Sequence, residues 1–311
     1  LKCYFRLIKK ILLMTDKSKS LTYSLLAVLF WSTVATAFKL TLQGLNTAQL
    51  LFYSSLTSVI ILFIIARANS PKELTWIFSK HQLKNNMLLG FINPFIYYLI
   101  LFKAYSVLPA QEAQPINLTW PLIISILSVV FLKQKISART IIGLLISFSG
   151  VVVIATRGNI LSMHFQNLYG VLLALSSSFI WAAFWILNLL DKREESIKLF
   201  GAFLFGTIYT GLYIFFFDSF GPVEFKYVLG AVYVGFFEMG ITFFLWLKAL
   251  SLSENKTKTS TIVYLFPVIS LFFITLVLGE KLFASSVIGL AMIVGGILFQ
   301  QLKGNNGSNI A

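Results

Sequence analysis

Cysteine and histidine are nearly missing from this sequence. Among 311 residues there is one Cys, at position 3, and two His, at 81 and 164. A disulfide needs two thiols, so no internal framework can form, and a cysteine-built metal site is excluded with it. Both histidines fall in expected loops, which leaves a histidine metal site or catalytic dyad nothing to build on. No cofactor motif is present, and the chain does not read as an enzyme. Charge is scarce too, at 12% of residues, where a soluble domain carries about a quarter. Hydrophobic residues make up 58% and recur in runs of about twenty, each enough for a hydrocarbon core of roughly 30 Å. The alternation of a membrane β-barrel, about ten residues per strand, is absent. The expected class is an all-α integral membrane protein.

A net charge of +14 would suit nucleic acid, but the basic residues sit beside the apolar runs. The expected partners are the lipid bilayer and a small-molecule substrate, with no nucleic acid, and the chain is expected as a monomer or homodimer. Ten spans are expected, at 21–42, 48–66, 86–105, 109–131, 139–156, 168–190, 198–217, 226–249, 259–278 and 284–302. Of the 25 Lys and Arg, all but Lys39, Lys103, Arg157, Lys226 and Lys281 fall on one side of this arrangement. By the positive-inside rule that side is cytoplasmic and holds both termini. The longest connection, 67–85, is expected to lie on the membrane surface with Trp76 at the interface. Residues 1–20 form a basic segment with two readings. Either the native chain starts at Met14, or the stretch is a short amphipathic anchor.

The chain also repeats itself. Gly90, Phe91, Lys103, Ala104 and Ser106 return as Gly235, Phe236, Lys248, Ala249 and Ser251. After one inserted residue, Pro121, Lys135, Gly143 and Gly150 return as Pro267, Lys281, Gly289 and Gly296. The expected units are 21–157 and 168–302, with a tail at 303–311. Each holds five spans, an odd number, so the second must cross the membrane the other way up. Inverted repeats of this kind recur in secondary transporters, with the substrate near the midplane between the halves. Duplicated scaffolds and lipid-handling proteins share the feature, so a lipid flippase or a membrane enzyme stays open as an alternative.

Several stretches together resemble the drug/metabolite transporter superfamily, and within it the ten-span transporters with paired EamA domains. They are FWST at 30–33, its echo FIWAAFW at 179–185, the turn into span four with its proline, LGEK at 278–281 with Pro267, and the glycines at 143, 150, 289 and 296. Gln111, Glu112 and NLTWP at 117–121, with Trp31 and Lys39, are similar to the aromatic amino-acid exporter branch. Gln134 departs from the pattern, standing where the second repeat has Glu280. The resemblance implies export of small organic metabolites, amino acids among them, across the inner membrane. Import of a nucleotide, sugar or cofactor is the alternative within transport.

The sharpest candidate residue is Glu238. It stands ten residues before Lys248, roughly 15 Å along a helix and half the hydrocarbon thickness. A carboxylate at that depth must be paired, hydrated or protonated, which makes it a proton-coupling candidate. The plain alternative is a protonated Glu bonded to a neighbouring helix. Its repeat partner is Asn93, followed by Pro94, which removes a backbone donor. Asn117 and Trp120, with Trp31, Thr33 and Thr36, offer amide, aromatic and hydroxyl surfaces suited to a small organic solute. Trp181 and Trp185 share one face of span six. Lys39 enters through the resemblance alone, since by position it would snorkel to the interface. Glu112 and Glu280 stand near span ends and are expected to be interfacial.

Overall fold

The computed structural model describes residues 15–132, 137–159, 167–253, 259 and 262–301. The segment before Thr15 with Met14, the positions Gln134 and Lys135, and the tail at 303–311 lie outside the described residues. No strand occurs among the described residues. The helices are α1 (Asp16–Thr41), α2 (Thr47–Asn69), α3 (Pro71–Leu74), α4 (Lys80–Gly90), α5 (Tyr97–Val107), α6 (Ala110–Asn117) and α7 (Trp120–Leu132). They continue as α8 (Ala138–Ala155), α9 (Leu168–Leu190), α10 (Glu195–Phe217), α11 (Phe225–Val234), α12 (Ile241–Ser251), α13 (Phe266–Leu278) and α14 (Ala284–Gln301).

In lipid every backbone group must find its partner inside the protein, which helices achieve. Their ends are closed by side chains. Asn46 and Gln49 form a capping box on α2, Ser137 and Asn167 accept from the first turns of α8 and α9, and Gly279 ends α13 at φ 65°. Seven of the rods are long and apolar enough to cross a membrane, with α4–α5 and α11–α12 each forming one rod, and Ile262–Leu278 and Ala284–Gln300 are shorter apolar helices. Their outward faces carry large apolar side chains such as Leu145, Phe215, Phe217 and Leu276.

The expected fourth span is not one helix. It is α6 and α7, parted at Leu118 and Thr119. Pro121 has no N–H to give the carbonyl one turn back, at Asn117. Ser178 Oγ on α9 serves that carbonyl instead, at 2.9 Å.

Packing follows the repeat. Each half lends its elements to the other: α1 packs on α13 while α9 packs on α7, and α1 on α12 while α9 packs on α5. The π-helical turn Phe91–Ile96 lies against α10, and its counterpart Gly235–Gly240 against α2. Helices α8 and α14 cross at glycines. A Cβ on Gly143 would stand 2.6 Å from the Gly296 carbonyl oxygen, and one on Gly150 equally close to that of Gly289. Gly143 and Gly289 are repeat counterparts, as are Gly150 and Gly296, so the contacts are exchanged between the copies. At the centre of the crossing Ser147 Oγ donates to the Ile293 carbonyl at 3.0 Å. These two residues are each other's counterparts, so the pseudo-twofold axis passes between them. The described helices make ten passes in two inverted five-helix repeats.

Candidate functional site

Both long broken rods are interrupted at their middle. In Lys80–Val107 the break is Asn93, in extended backbone at φ −143° and ψ 120°, followed by Pro94. In Phe225–Ser251 a π-helical turn runs from Gly235 to Gly240, and Gly240 takes φ −105° and ψ −95°. The repeat partners Asn93 and Glu238 therefore stand at the same depth, midway along their rods. Widened turns of this kind recur at functional positions because they open the i→i+4 ladder.

Glu238 lies deep among its neighbours, yet part of its side chain stays accessible. Its Oε1 accepts from the Tyr98 hydroxyl at 3.1 Å. No described Lys or Arg lies within salt-bridge distance of it. From Tyr98 a wall of aromatic rings leads across the interface between the repeats. Tyr98 touches Tyr97 at 4.6 Å between ring centroids. Tyr97 stacks on Trp181 at 4.5 Å with 30° between planes. Trp181 meets Phe243 at 5.7 Å, and Phe243 meets Trp31 at 6.1 Å. Trp246 and Phe266 complete the far end around Trp31.

Polar atoms along this interior are only partly engaged. Asn117 Nδ2 donates to Ser177 Oγ at 2.9 Å. The Asn93 amide is fully buried with neither its nitrogen nor its oxygen partnered, and Thr36 Oγ1, Gln114 Oε1, Trp185 Nε1 and Ser270 Oγ are buried without partners as well. Buried polar atoms in this condition cost free energy unless something satisfies them. The combination of one carboxylate, several idle polar atoms and a continuous aromatic wall is chemically fit to hold a small solute with an apolar body.

At one end of the bundle, the end of Lys39, Pro109 and Arg157, the two halves are fastened together. Glu280 accepts from the backbone N–H of Ala110 at 3.0 Å and from Gln111 Nε2 at 3.3 Å. Gln111 Nε2 also donates to the Lys281 carbonyl at 2.8 Å, and its Oε1 accepts from Phe283 N–H at 2.9 Å. Beside them Arg157 Nε pairs with buried Glu112 at 2.8 Å and places its guanidinium 4.6 Å over the Phe283 ring. Lys39 Nζ donates to the Tyr105 and Leu108 carbonyls at the end of α5. A pocket of about 310 Å³ opens there between Lys39, Gln111 and Glu280.

The fold and its broken rods can be set beside known proteins. The model of the EamA-like transporter family matches twice, over residues 18–156 and 168–300. The chain belongs to the EamA-like transporter family. An "Uncharacterized transporter" of Archaeoglobus fulgidus is 25% identical over 279 residues, covering 88% of this chain and 95% of the relative. One of Acidianus ambivalens is 28% identical over 218 residues, covering 67% and 81%. YvbV of Bacillus subtilis, also named an uncharacterized transporter, is 26% identical, covering 68% and 70%. A solved structure superposes with a TM-score of 0.65 at 18% identity, over 91% of this chain and 96% of that one, which speaks for the fold alone. Membership places the chain in the drug/metabolite transporter superfamily, as a multi-pass membrane transporter.

Within this EamA frame the residues singled out from sequence are distributed unevenly. Trp31 and Trp181 lie on the aromatic wall with Trp185 against it, Asn117 sits beside α9, and Trp120 packs half-buried against the core at the start of α7. Asn93 makes no hydrogen bond to Glu238. Thr33 bonds the Tyr233 hydroxyl at 2.6 Å beside the Phe30, Tyr233 and Phe237 rings, whereas Thr36 Oγ1 is buried without a partner. Lys39 Nζ is held by the Tyr105 and Leu108 carbonyls at the end of α5, while Asn167 Nδ2 serves the Val107 carbonyl beside them at 2.9 Å. Glu112 and Glu280 both stand at the Lys39 end of the bundle, Glu112 buried against Arg157 and Glu280 partly exposed against the start of α6. Sequence reasoning missed Tyr97, Tyr98, Phe243 and Trp246. The available signal was Tyr97, one helical turn after Asn93 and so on its face.

Proposed function

We propose that this EamA transporter is a secondary transporter that exports small organic metabolites, amino acids among them, across the inner (plasma) membrane by alternating access. The Arg67 end of the bundle, where most basic residues lie, would then face the cytoplasm with both termini, and the fastened Lys39 end would face outward. The observation that carries the reading is Glu238, a carboxylate midway across the bundle whose contact is a tyrosine hydroxyl and not a cation. A group so placed takes a proton or a positively charged nitrogen in turn, and the aromatic wall beside it offers faces to the same charge. No described Lys or Arg stands at that depth, which weighs against phosphate-bearing solutes such as nucleotides. Likeness to NLTWP-bearing exporters supports an amino acid as the cargo.

Purified protein in liposomes under a pH gradient tests the coupling. Metabolites inside and outside a deletion strain and an overexpressing strain identify the cargo. Wild type should respond to the gradient and Glu238→Gln should not. Equal responses would remove Glu238 from the mechanism.

A further inference from the structure

The connection between α2 and α4 carries features that transport does not use. Along α2, Leu56, Ile60 and Phe63 are exposed and spaced by four and three residues, so they share one face. That apolar stripe leads directly to Arg67, also exposed, at the end of the helix. Beyond it, a pocket of about 620 Å³ is lined by Phe63, Arg67, Lys72, Leu74 and Trp76, with Pro71 and Thr75 between them. Short helix α3 is held by the Leu74 N–H on the Ser70 carbonyl and by Thr75 Oγ1 on the Lys72 carbonyl. Trp76 and Phe78 each leave 65% of their surface uncovered. Neither Arg67 nor Lys72 has a carboxylate in salt-bridge range among the described residues. The acid of the segment, Glu73, is exposed and does not line the pocket. Exposed Lys80 and Lys84 follow on α4 and add to the positive field.

We infer that this pocket is a binding site for one anionic phospholipid, its phosphate between Arg67 and Lys72 and one acyl chain along the Leu56–Ile60–Phe63 stripe. Three observations converge on that occupant. The stripe lies where acyl chains must lie, because it is the lipid-facing side of a membrane helix. The two cations stand where that helix leaves the hydrocarbon, at headgroup level, and basic pockets beside helix ends attract anionic headgroups. Trp76 stands uncovered at the same level, where an indole is favoured by its apolar body and polar N–H. A soluble phosphate would use the cations but neither the stripe nor the ring.

The test is native mass spectrometry on detergent-purified full-length protein, titrated with phosphatidylglycerol, with phosphatidylcholine of equal chain length, and with glycerol 1-phosphate. Wild type should retain phosphatidylglycerol over phosphatidylcholine and show no competition from glycerol 1-phosphate. Arg67→Gln with Lys72→Gln should weaken phosphatidylglycerol retention by about tenfold. Lys226→Gln, at the opposite end and exposed, should leave it unchanged. Lys72→Gln alone, on an exposed turn outside the bundle, gives a smaller loss and serves if the double variant does not fold. Undiminished retention in both Lys72 variants, an equal loss in Lys226→Gln, or full competition by glycerol 1-phosphate would each overturn the assignment.

Discussion

Glu280 and Gln111, one from each repeat, hold each other across the Lys39 end: the carboxylate accepts from the Gln111 side chain at 3.3 Å while that side chain also donates to the Lys281 carbonyl and accepts from the Phe283 N–H, on either side of Leu282. Fastening of this kind must come undone for that end to open.

Removing it should therefore favour the open form. Hydrogen bonds to a charged group contribute about 1.5–3 kcal/mol each, so Glu280→Gln with Gln111→Ala should raise access at this end by tenfold or more. With Cys3 replaced by Ser the chain is free of thiols. A Leu108→Cys probe, buried in the fastened structure and lining the pocket, then reports opening as its labelling rate with a membrane-impermeant maleimide. An unchanged rate would show that the fastening does not limit opening.

Tyr98→Phe removes the hydroxyl that donates to Glu238 and keeps the ring. Transport should fall by several-fold with coupling to the pH gradient retained, because the carboxylate itself remains. Glu238→Gln should abolish coupling. Liposome uptake with and without a gradient separates the two.

Arg157→Gln leaves the Glu112 carboxylate buried without its cation. Breaking a buried pair costs roughly 3–5 kcal/mol, and since Arg157 keeps 36% of its side chain exposed the expected loss is nearer about 2 kcal/mol. Adding Glu112→Gln should restore most of it. Thermal unfolding of the four proteins in one detergent completes the cycle, and no recovery in the double variant would mean that Arg157 acts mainly through Phe283.

Asp191, just past the end of α9, is pushed up by burial but pulled further down by the Arg193 guanidinium and backbone N–H, and so sits below the usual carboxylate range. A depressed folded value gives stability that is complete above the unfolded pKa of about 4 and is lost as pH falls through the folded one. Thermal stability compared between wild type and Asp191→Asn should converge only in that acid window. A difference that stays constant down to pH 3 would argue against the ion pair as its source.

The architecture was readable because its causes are local. Runs such as Leu168–Leu190 are apolar end to end, and the glycines at 143, 150, 289 and 296 repeat at fixed positions whether or not their contacts are known. Glu238 was readable because charge in the middle of a span is costly wherever it occurs. The aromatic wall was not, since Phe243 and Trp246 look like any lipid-facing rings until the fold turns Phe243 towards Trp181 and both of them towards Trp31. Glu280 was read as interfacial from its distance to a span end. Its partner Gln111 lies a whole repeat away in sequence, and no periodicity within either segment connects them.

The Ser147–Ile293 contact, with glycines above and below it, has a mechanical consequence. Backbones that touch at Gly143–Gly296 and Gly150–Gly289 have no side chains between them to re-pack, so α8 and α14 cannot slide past each other by a rotamer change. In the alternating-access cycle proposed above, this crossing would serve as a fulcrum. Motion of the halves would then be a lever action whose stroke grows with distance from it, smallest at α8 and α14 and largest at α2 and α10, which pack on each other away from the crossing.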